Sequence, residues 1–173
     1  MKLTRQLLWW LSSLVIGLSL LLILILYIVS NKYRLMVNIS SSMPQRLWLV
    51  DMQNTALKVN SYAVFKFHDY RMQKLNDHEL VVKQVGGIAG DVIKVTKPKN
   101  QLETARFVLP SGTYPVYSLI SGFKFKQLKD KDLTIPKGYY FMHGLHQPTF
   151  DSRYKEFGLI NQQQIVGIAY PIF

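Results

Sequence analysis

The segment SSSMPQRLWLV, residues 40–50, marks the point at which the chain changes from one structural pattern to another. A long apolar run ends shortly before it. Directly after Pro44 the sequence becomes rich in apolar and aromatic residues, which is typical of a short β-strand. A hydroxyl at this junction would sit at a fixed height above a membrane. We interpret Ser42 as a candidate nucleophile and most of the remaining chain as its support.

The apolar run is long enough to cross a bilayer. Leu7 to Val29 contains no charged residue and no proline. A helix needs about 20 residues to span a hydrocarbon core of about 30 Å. Trp9 and Trp10 lie near one end of the run, and Tyr27 lies near the other, as expected for rings that favour the headgroup zones. The run therefore predicts a transmembrane helix over about residues 7–29.

A cleavable signal peptide is the alternative interpretation of this run. Its apolar part usually covers about 7–15 residues and ends at a small-x-small cleavage site. Here the run is longer, and residues 27–30 (YIVS) offer no such site. We therefore expect a retained anchor over residues 1–33. Two basic residues flank each end of the run, so the charge count leaves the orientation open apart from a weak lean towards an N-terminus inside.

Composition limits the possible partners and cofactors. The chain has 173 residues, which is enough for one modest domain plus the anchor, and a net charge of +11. A basic protein favours an anionic partner, either nucleic acid or an acidic membrane surface. No nucleic-acid-binding signature is present, so we expect the lipid bilayer and no nucleic acid. The absence of cysteine excludes disulfides and thiolate chemistry, the four histidines show no metal spacing, and we expect no metal or cofactor.

The chain after the anchor is predicted to be mainly β. Short segments rich in β-branched and aromatic residues alternate with turn residues, without the βαβ pattern of a parallel sheet. We expect an antiparallel β-sandwich or partly closed barrel over residues 34–173, with Phe67 to Glu79 as the best helix or loop candidate. The predicted strands are residues 46–50, 62–67, 80–85, 91–95, 106–109, 114–117, 138–142 and 164–170.

Lys83 is a charged residue inside an apolar predicted strand. Such a lysine often points outward, with its ammonium group in water. If it points inward, desolvation lowers the pKa of its amine, and a neutral amine can accept a proton. The glycines that follow, in Gly86 to Asp91, indicate tight turns. They do not form a phosphate-binding loop, since the Lys-Ser/Thr ending of that motif is missing.

A second polar cluster occurs near the C-terminal end, at Thr149 to Tyr154. Asp151 and Arg153 are close enough in sequence to form an ion pair. That pair has either a purely structural role or a role in supporting a site. A run of serines such as residues 40–42, taken alone, more often marks a turn than a catalytic centre.

Together these segments resemble the membrane-bound serine proteases of the signal peptidase I family, which use a Ser–Lys dyad. Three sequence boxes of that family are present in the family's order, behind one N-terminal anchor. The boxes are Ser40-x-Ser42-Met43-Pro44, Lys83-x-Val85-x-Gly87-x-x-Gly90-Asp91, and Asp151-Ser152-Arg153-Tyr154 followed by Gly158.

The resemblance implies a role for each matching residue. Ser42 would attack a peptide carbonyl, and neutral Lys83 would take its proton. The Ser42 N–H and the Ser40 hydroxyl would stabilise the oxyanion. Thr149 would orient the Lys83 amine by a hydrogen bond.

The remaining matching residues would support this centre. Asp151 and Arg153 would brace the corner as an ion pair. Met43 and Pro44 would fix the entry of the strand beside the nucleophile.

The resemblance also implies a substrate and a location. The pattern Asn38-x-Ser40-x-Ser42-Met43-Pro44 is similar to that of the conjugative-transfer branch, whose members mature pilin-like subunits of type IV secretion systems. The implied partners are an exported, pilin-like precursor with small residues before the cut site, and the lipid bilayer. The implied location is the bacterial inner membrane, with a cytoplasmic N-terminus and a periplasmic catalytic domain.

Several alternatives remain open at this point. The chain could be a general type I signal peptidase, or a non-catalytic single-pass component of a secretion complex. A Ser–His–Asp centre is possible because His143 and His146 lie close in sequence to Asp151. A Ser–Lys self-cleaving regulator is a further option, but such proteins carry a DNA-binding domain where this chain has its anchor.

Overall fold

A computed structural model describes residues 2–67, 79–120 and 122–173, with the side chains of Lys2 and Leu3 left aside. The chain divides into two compact units, Met1–Arg34 and Leu35–Phe173. The first unit contains one helix, α1, at Lys2–Lys32. Its segment Thr4–Lys32 is long and apolar enough to cross a membrane, and its side chains are exposed along its length. A helix that is apolar all round is suited to a lipid environment.

Strands make up most of the described chain after α1. The strands are β1 (Tyr33–Val37), β2 (Leu47–Asp51), β3 (Tyr62–Phe67), β4 (Glu79–Gly87), β5 (Val92–Thr96), β6 (Glu103–Leu109), β7 (Gly112–Tyr117), β8 (Leu119–Ile120), β9 (Phe123–Lys124), β10 (Leu133–Thr134), β11 (Tyr139–His143), β12 (Ile160–Asn161) and β13 (Ile165–Pro171). A short 3-10 helix, Gln162–Gln164, precedes β13.

The strands form two main antiparallel sheets and one small hairpin. The larger sheet has the order β1-β2-β13-β3-β4-β11-β12, and the smaller has the order β10-β5-β6-β7. Strands β8 and β9 pair with each other. The predicted mainly β, antiparallel fold behind one N-terminal apolar helix is therefore confirmed.

Each of the eight predicted strands is present: the prediction for residues 62–67 matches β3, and the other strands have ends shifted by up to three residues. Strands β1, β8, β9, β10 and β12 were not predicted. The helix or loop prediction for Phe67 to Glu79 falls largely outside the described residues: Phe67 ends β3, Glu79 begins β4, and residues 68–78 are not described.

The core beneath the serine segment contains large apolar side chains. Trp48 is fully buried on β2 and its ring lies 5.0 Å from that of Tyr62. Met43, directly after Ser42, is buried in the same cluster with Val64. Trp48 therefore belongs to the core rather than to an exposed apolar surface, and Met43 fixes the serine segment to it.

Strand β4 places Lys83 in the interior. It pairs with β3 from Glu79 to Gln84, with Ala63 opposite Lys83, and with β11 nearer its end. Because side chains alternate along a strand, Lys83 shares a face with Val81 and Val85, which both pack in one apolar cluster. The Lys83 side chain is accordingly buried, with 4% exposure.

Candidate active site

The serine segment forms a turn between β1 and β2 that is fixed from two sides. Met43 inserts into the core, as described above. The Ser42 carbonyl oxygen accepts hydrogen bonds from Leu145 N at 2.9 Å and His146 N at 3.2 Å. Ser42 itself is buried, whereas Ser40 and Pro44 are exposed. The turn therefore holds the Ser42 hydroxyl at a defined place beside the segment that follows β11.

Three side chains form a hydrogen-bonded row at this turn. The Oγ atoms of Ser40 and Ser42 lie 2.8 Å apart. The Ser40 hydroxyl also lies 3.0 Å from Asn38 Oδ1, and Ser40 N donates to the same oxygen at 3.2 Å. Asn38 is buried and pairs its Nδ2 with Ser40 O at 3.1 Å. Among the described residues, Ser42 N has no hydrogen-bond acceptor.

The amine of Lys83 has one hydrogen-bond partner in the described chain, Thr149. Lys83 Nζ donates to Thr149 Oγ1 at 3.2 Å, and both residues are buried. Burial lowers the pKa of Lys83 from 10.5 to about 8, partly opposed by the negative charge of Asp151 and assisted by the positive charge of Arg153. At pH 7 the amine is therefore still mainly charged, but its neutral form is far more accessible than that of an exposed lysine.

Ser42 and Lys83 line the same cleft but are not hydrogen-bonded to each other. The cleft has a volume of about 420 Å³ and is lined by Ser40, Ser42, Lys83 and Thr149 together with apolar side chains, among them Phe150. No hydrogen bond joins Ser42 Oγ to Lys83 Nζ in the described chain. Such contacts are often long without substrate and tighten in the reacting complex.

Asp151 and Arg153 form a fully buried ion pair behind the cleft. Arg153 Nε donates to Asp151 Oδ1 at 2.7 Å and Nη2 donates to Oδ2 at 2.6 Å. The remaining guanidinium hydrogens bond Pro115 O, Gln147 Oε1 and Thr149 O. All five donors of the guanidinium are thus used. Although burial alone would raise it, the pKa of the Asp151 carboxyl stays below its usual value because Arg153 lies beside it.

The ion pair is connected to the cleft through backbone groups. Asp151 Oδ2 accepts a hydrogen bond from Gly144 N at 3.0 Å, and Arg153 holds the carbonyl of Thr149 at 3.2 Å. The pair therefore fixes two segments, those at Gly144 and Thr149, which bracket Ser42 and Lys83. Arg153 also contacts the smaller sheet, since Pro115 belongs to β7.

Gly144 fills a space in which no side chain fits. A Cβ built on it would lie 2.9 Å from Ser42 O, 2.7 Å from Thr149 Cγ2 and 3.0 Å from Thr149 Oγ1. The backbone at Gly144 thus separates the serine segment from the lysine's hydrogen-bond partner. We expect any larger residue here to move one of them.

The two histidines near Asp151 do not join the Ser42 side chain. His143 is buried, its Nδ1 lies 3.2 Å from Gly144 O, and its Nε2 has no partner among the described groups. Burial lowers the pKa of His143. His146 is exposed, and its Nδ1 lies 2.8 Å from Ser41 O. This geometry does not support a Ser–His–Asp centre, and the described residues contain no cluster of His, Asp or Glu that would hold a metal.

The structure gathers most of the residues that the sequence singled out. Ser40, Ser42, Lys83 and Thr149 share one cleft. Asp151 and Arg153 lie buried behind it, Met43 lies in the core, and Pro44 lies at the surface.

Two further residues touch this centre without having been assigned a role from the sequence. The sequence marks Asn38 only as part of a motif, although an Asn side chain commonly bonds the backbone two residues on, as it does here with Ser40 N. For Gly144 the sequence held no signal, because its importance lies in contacts with residues far away in the chain.

Comparison with known proteins identifies a family. A family model described as signal peptidase, peptidase S26, matches residues 7–173. No curated protein matches the chain. The matched range includes the serine segment, Lys83 and the Asp151–Arg153 pair.

Proposed function

The chain belongs to the signal peptidase family, peptidase S26, and we propose that it cleaves leader peptides from exported proteins with Ser42 as nucleophile and Lys83 as general base. Family membership indicates a membrane-anchored serine peptidase that acts on exported precursors. The observation that carries the assignment of residues is the buried amine of Lys83, with its pKa lowered to about 8, in the same cleft as the Ser42 hydroxyl.

Acylation would begin when neutral Lys83 accepts the Ser42 proton and Ser42 Oγ attacks the peptide carbonyl. The carbonyl oxygen then gains a negative charge. The N–H of Ser42 and the hydroxyl of Ser40 would donate hydrogen bonds to it. One such donor is typically worth about 10²–10³ in kcat.

Collapse of the tetrahedral intermediate breaks the C–N bond, and the Lys83 ammonium gives its proton to the leaving amine. The neutral amine then takes a proton from water, and the water oxygen attacks the carbonyl of the Ser42 ester. The bond from this carbonyl to Ser42 Oγ breaks, the Lys83 ammonium returns its proton to Ser42 Oγ, and the new carboxyl group is released. In both steps Thr149 Oγ1 would orient the Lys83 amine, and the Asp151–Arg153 pair would hold the surrounding backbone in place.

For the substrate we propose a pilin-like precursor of a conjugative, type IV secretion system, with small residues before the cut site. The support is the pattern of Asn38, Ser40 and Ser42 before Met43-Pro44, and a cleft of modest volume with apolar walls. The second candidate is a general type I signal peptidase. Co-expression with one pilin-like and one ordinary secretory precursor distinguishes them, since only the general enzyme would process both at similar rates.

For the location we propose the bacterial inner membrane, with the N-terminus in the cytoplasm and the unit Leu35–Phe173 outside it. The absence of cysteine offers a clean test. A single Ser118→Cys variant, which changes an exposed residue, should react in intact cells with a maleimide that does not cross membranes. Labelling that occurs only after lysis would show that the unit Leu35–Phe173 lies in the cytoplasm, which is the opposite orientation.

The activity test compares wild type with Ser42→Ala and Lys83→Ala on a co-expressed precursor. Ser118→Ala and Lys66→Ala are matched controls, because both change exposed residues outside the cleft. We expect both site variants to lose cleavage while folding normally, and both controls to retain it. Cleavage that survives in both site variants would reject the dyad and favour a non-catalytic membrane component.

A further inference from the structure

Asn38 is held in one orientation by its contacts. A backbone N–H can only donate, so the contact from Ser40 N identifies the Asn38 atom nearest it as the carbonyl oxygen, Oδ1. The amide nitrogen then faces Ser40 O at 3.1 Å and Gln45 O at 3.5 Å, both of which can only accept. The position of the acceptor Oδ1 is therefore determined.

This orientation determines where the serine protons lie. Because Asn38 Oδ1 can only accept, the Ser40 hydroxyl uses its single proton on that contact of 3.0 Å. Ser40 Oγ can then only accept at its second contact, the 2.8 Å approach of Ser42 Oγ. In the substrate-free protein the Ser42 proton therefore points towards Ser40, and not towards Lys83.

We propose that Asn38 is a positioning residue that fixes the Ser40 hydroxyl, and that through Ser40 it holds the Ser42 hydroxyl in a resting orientation that substrate must release. This inference rests on the proposed function and adds a residue to it. When the oxyanion forms, it is a stronger acceptor than an amide carbonyl. The Ser40 proton then turns from Asn38 to the oxyanion, while Ser40 Oγ stays where Asn38 has placed it.

The proposal predicts a specific kinetic defect. Asn38→Ala keeps both serines but leaves the Ser40 hydroxyl free to take other rotamers. We expect kcat to fall by at least about tenfold, but by less than the factor of about 10²–10³ expected for Ser40→Ala. The value of KM should change by less than about twofold. Asn54→Ala is the matched control, because it removes a similar Asn side chain to backbone contact, with Ala56 N, away from the cleft.

The decisive experiment is a double-mutant cycle on the full-length protein in detergent, with a leader peptide as substrate. If Asn38 acts through Ser40, Asn38→Ala in the Ser40→Ala background should change kcat less than about twofold. If the kcat losses of Asn38→Ala and Ser40→Ala instead multiply in the double variant, the proposal is wrong, since Asn38 would then support the turn independently of Ser40. Wild-type kcat in Asn38→Ala would also overturn it.

Two controls separate this result from other failures. Thermal unfolding shows whether the Asn38→Ala protein is folded, and Asn38→Ser offers a shorter oxygen acceptor that should recover part of the lost kcat. If Asn38→Ser recovers none of the lost kcat, the idea that an acceptor oxygen at this position holds the Ser40 hydroxyl would lose support. Failure of the proposed function would appear differently, as full cleavage in Ser42→Ala.

Discussion

Lys83 can act as a base only while its amine is uncharged, and its burial sets the pH at which that occurs. With a pKa of about 8, the neutral form increases as the pH rises through that value. We expect kcat/KM to rise about tenfold per pH unit below pH 8 and to level off above it. Initial rates on a leader peptide without ionisable side chains, measured from pH 6 to 9.5, test this. A flat profile over that range would contradict Lys83 as the base.

Gly144 offers a second test at the level of one residue. In Gly144→Ala the new Cβ would approach Ser42 O and Thr149 to within about 3 Å, so one of the two must move. A displacement of about 1 Å at a catalytic group can cost about 10²-fold in rate, and we expect at least a tenfold loss of kcat.

The control for this variant is Gly17→Ala, because a Cβ at Gly17 meets nothing within 4 Å. Equal rates for Gly144→Ala and wild type would show that the cleft can adapt to the extra methyl group.

The sequence pattern singles out residues whose side chains carry reactive or charged groups. Ser42, Lys83 and Asp151 carry functional groups, and a serine turn, a lysine in an apolar strand and an acid–base pair can each be recognised locally. The sequence could not show which way Lys83 points, since inward and outward lysines have the same pattern. Nor could it assign Gly144, because its neighbours Ser42 and Thr149 meet it only in the folded chain.

Strand β4 holds a lysine among apolar side chains, and this arrangement has a cost in stability. The difference between a pKa of 10.5 and one of about 8 corresponds to about 3 kcal/mol against the folded state while the amine is charged. We expect Lys83→Met to be inactive but more stable by about 1–3 kcal/mol at pH 7, measured by thermal unfolding.

The pH dependence of this gain has a definite sign. The unfolded chain binds more protons than the folded one between pH 8 and 10.5, so the wild type gains stability as pH rises through that window. The advantage of Lys83→Met should therefore shrink above pH 8. If the stability advantage of Lys83→Met grows with pH, burial of the charged amine is not its cause.

Whereas the buried charge of Lys83 destabilises the folded state, loss of the buried ion pair in the segment from Thr149 to Tyr154 is expected to destabilise it. Removing one partner leaves a buried charge without compensation, which typically costs about 3–5 kcal/mol. We expect Arg153→Met to be destabilised by that amount in thermal or denaturant unfolding. The double variant Asp151→Asn with Arg153→Met should recover part of the loss, because no lone charge remains. A loss below about 1 kcal/mol in Arg153→Met would show that Asp151 finds another partner.

Strands were predicted correctly where they are long enough to show the residue pattern that is typical of a β-strand. Strand β3 (Tyr62–Phe67) and strand β13 are rich in β-branched and aromatic residues and were predicted within one residue at each end. Strands β8, β9, β10 and β12 have two residues each, which is too short for any periodicity. Strands β10 and β12 pair with the longer strands β5 and β11, whereas β8 and β9 pair only with each other in the described chain. Such pairing depends on the folded chain and not on a local pattern.

At the scale of the whole molecule, α1 and the unit Leu35–Phe173 are expected to have separable roles. A chain lacking residues 2–32 should cleave a soluble leader peptide with kcat/KM within about threefold of the full-length enzyme, because every residue of the cleft is retained. It should process a membrane-borne precursor at least about tenfold more slowly, since the anchor supplies effective concentration at the bilayer. Equal processing of the membrane-borne precursor would argue against that role of α1.

The connections between Lys83 and Thr149, 66 residues apart, and between Ser41 and His146, 105 residues apart, have a consequence for the newly synthesised chain. A contact between residues so distant in sequence cannot form before the later residue has been synthesised, and closing so long a loop slows folding. Until the segment carrying Thr149 has emerged and docked, Lys83 lacks its hydrogen-bond partner and the serine turn lacks its support from Leu145 N. We therefore expect the site at Ser42 and Lys83 to be completed only at the end of biogenesis, after most of the protein's own chain has been made.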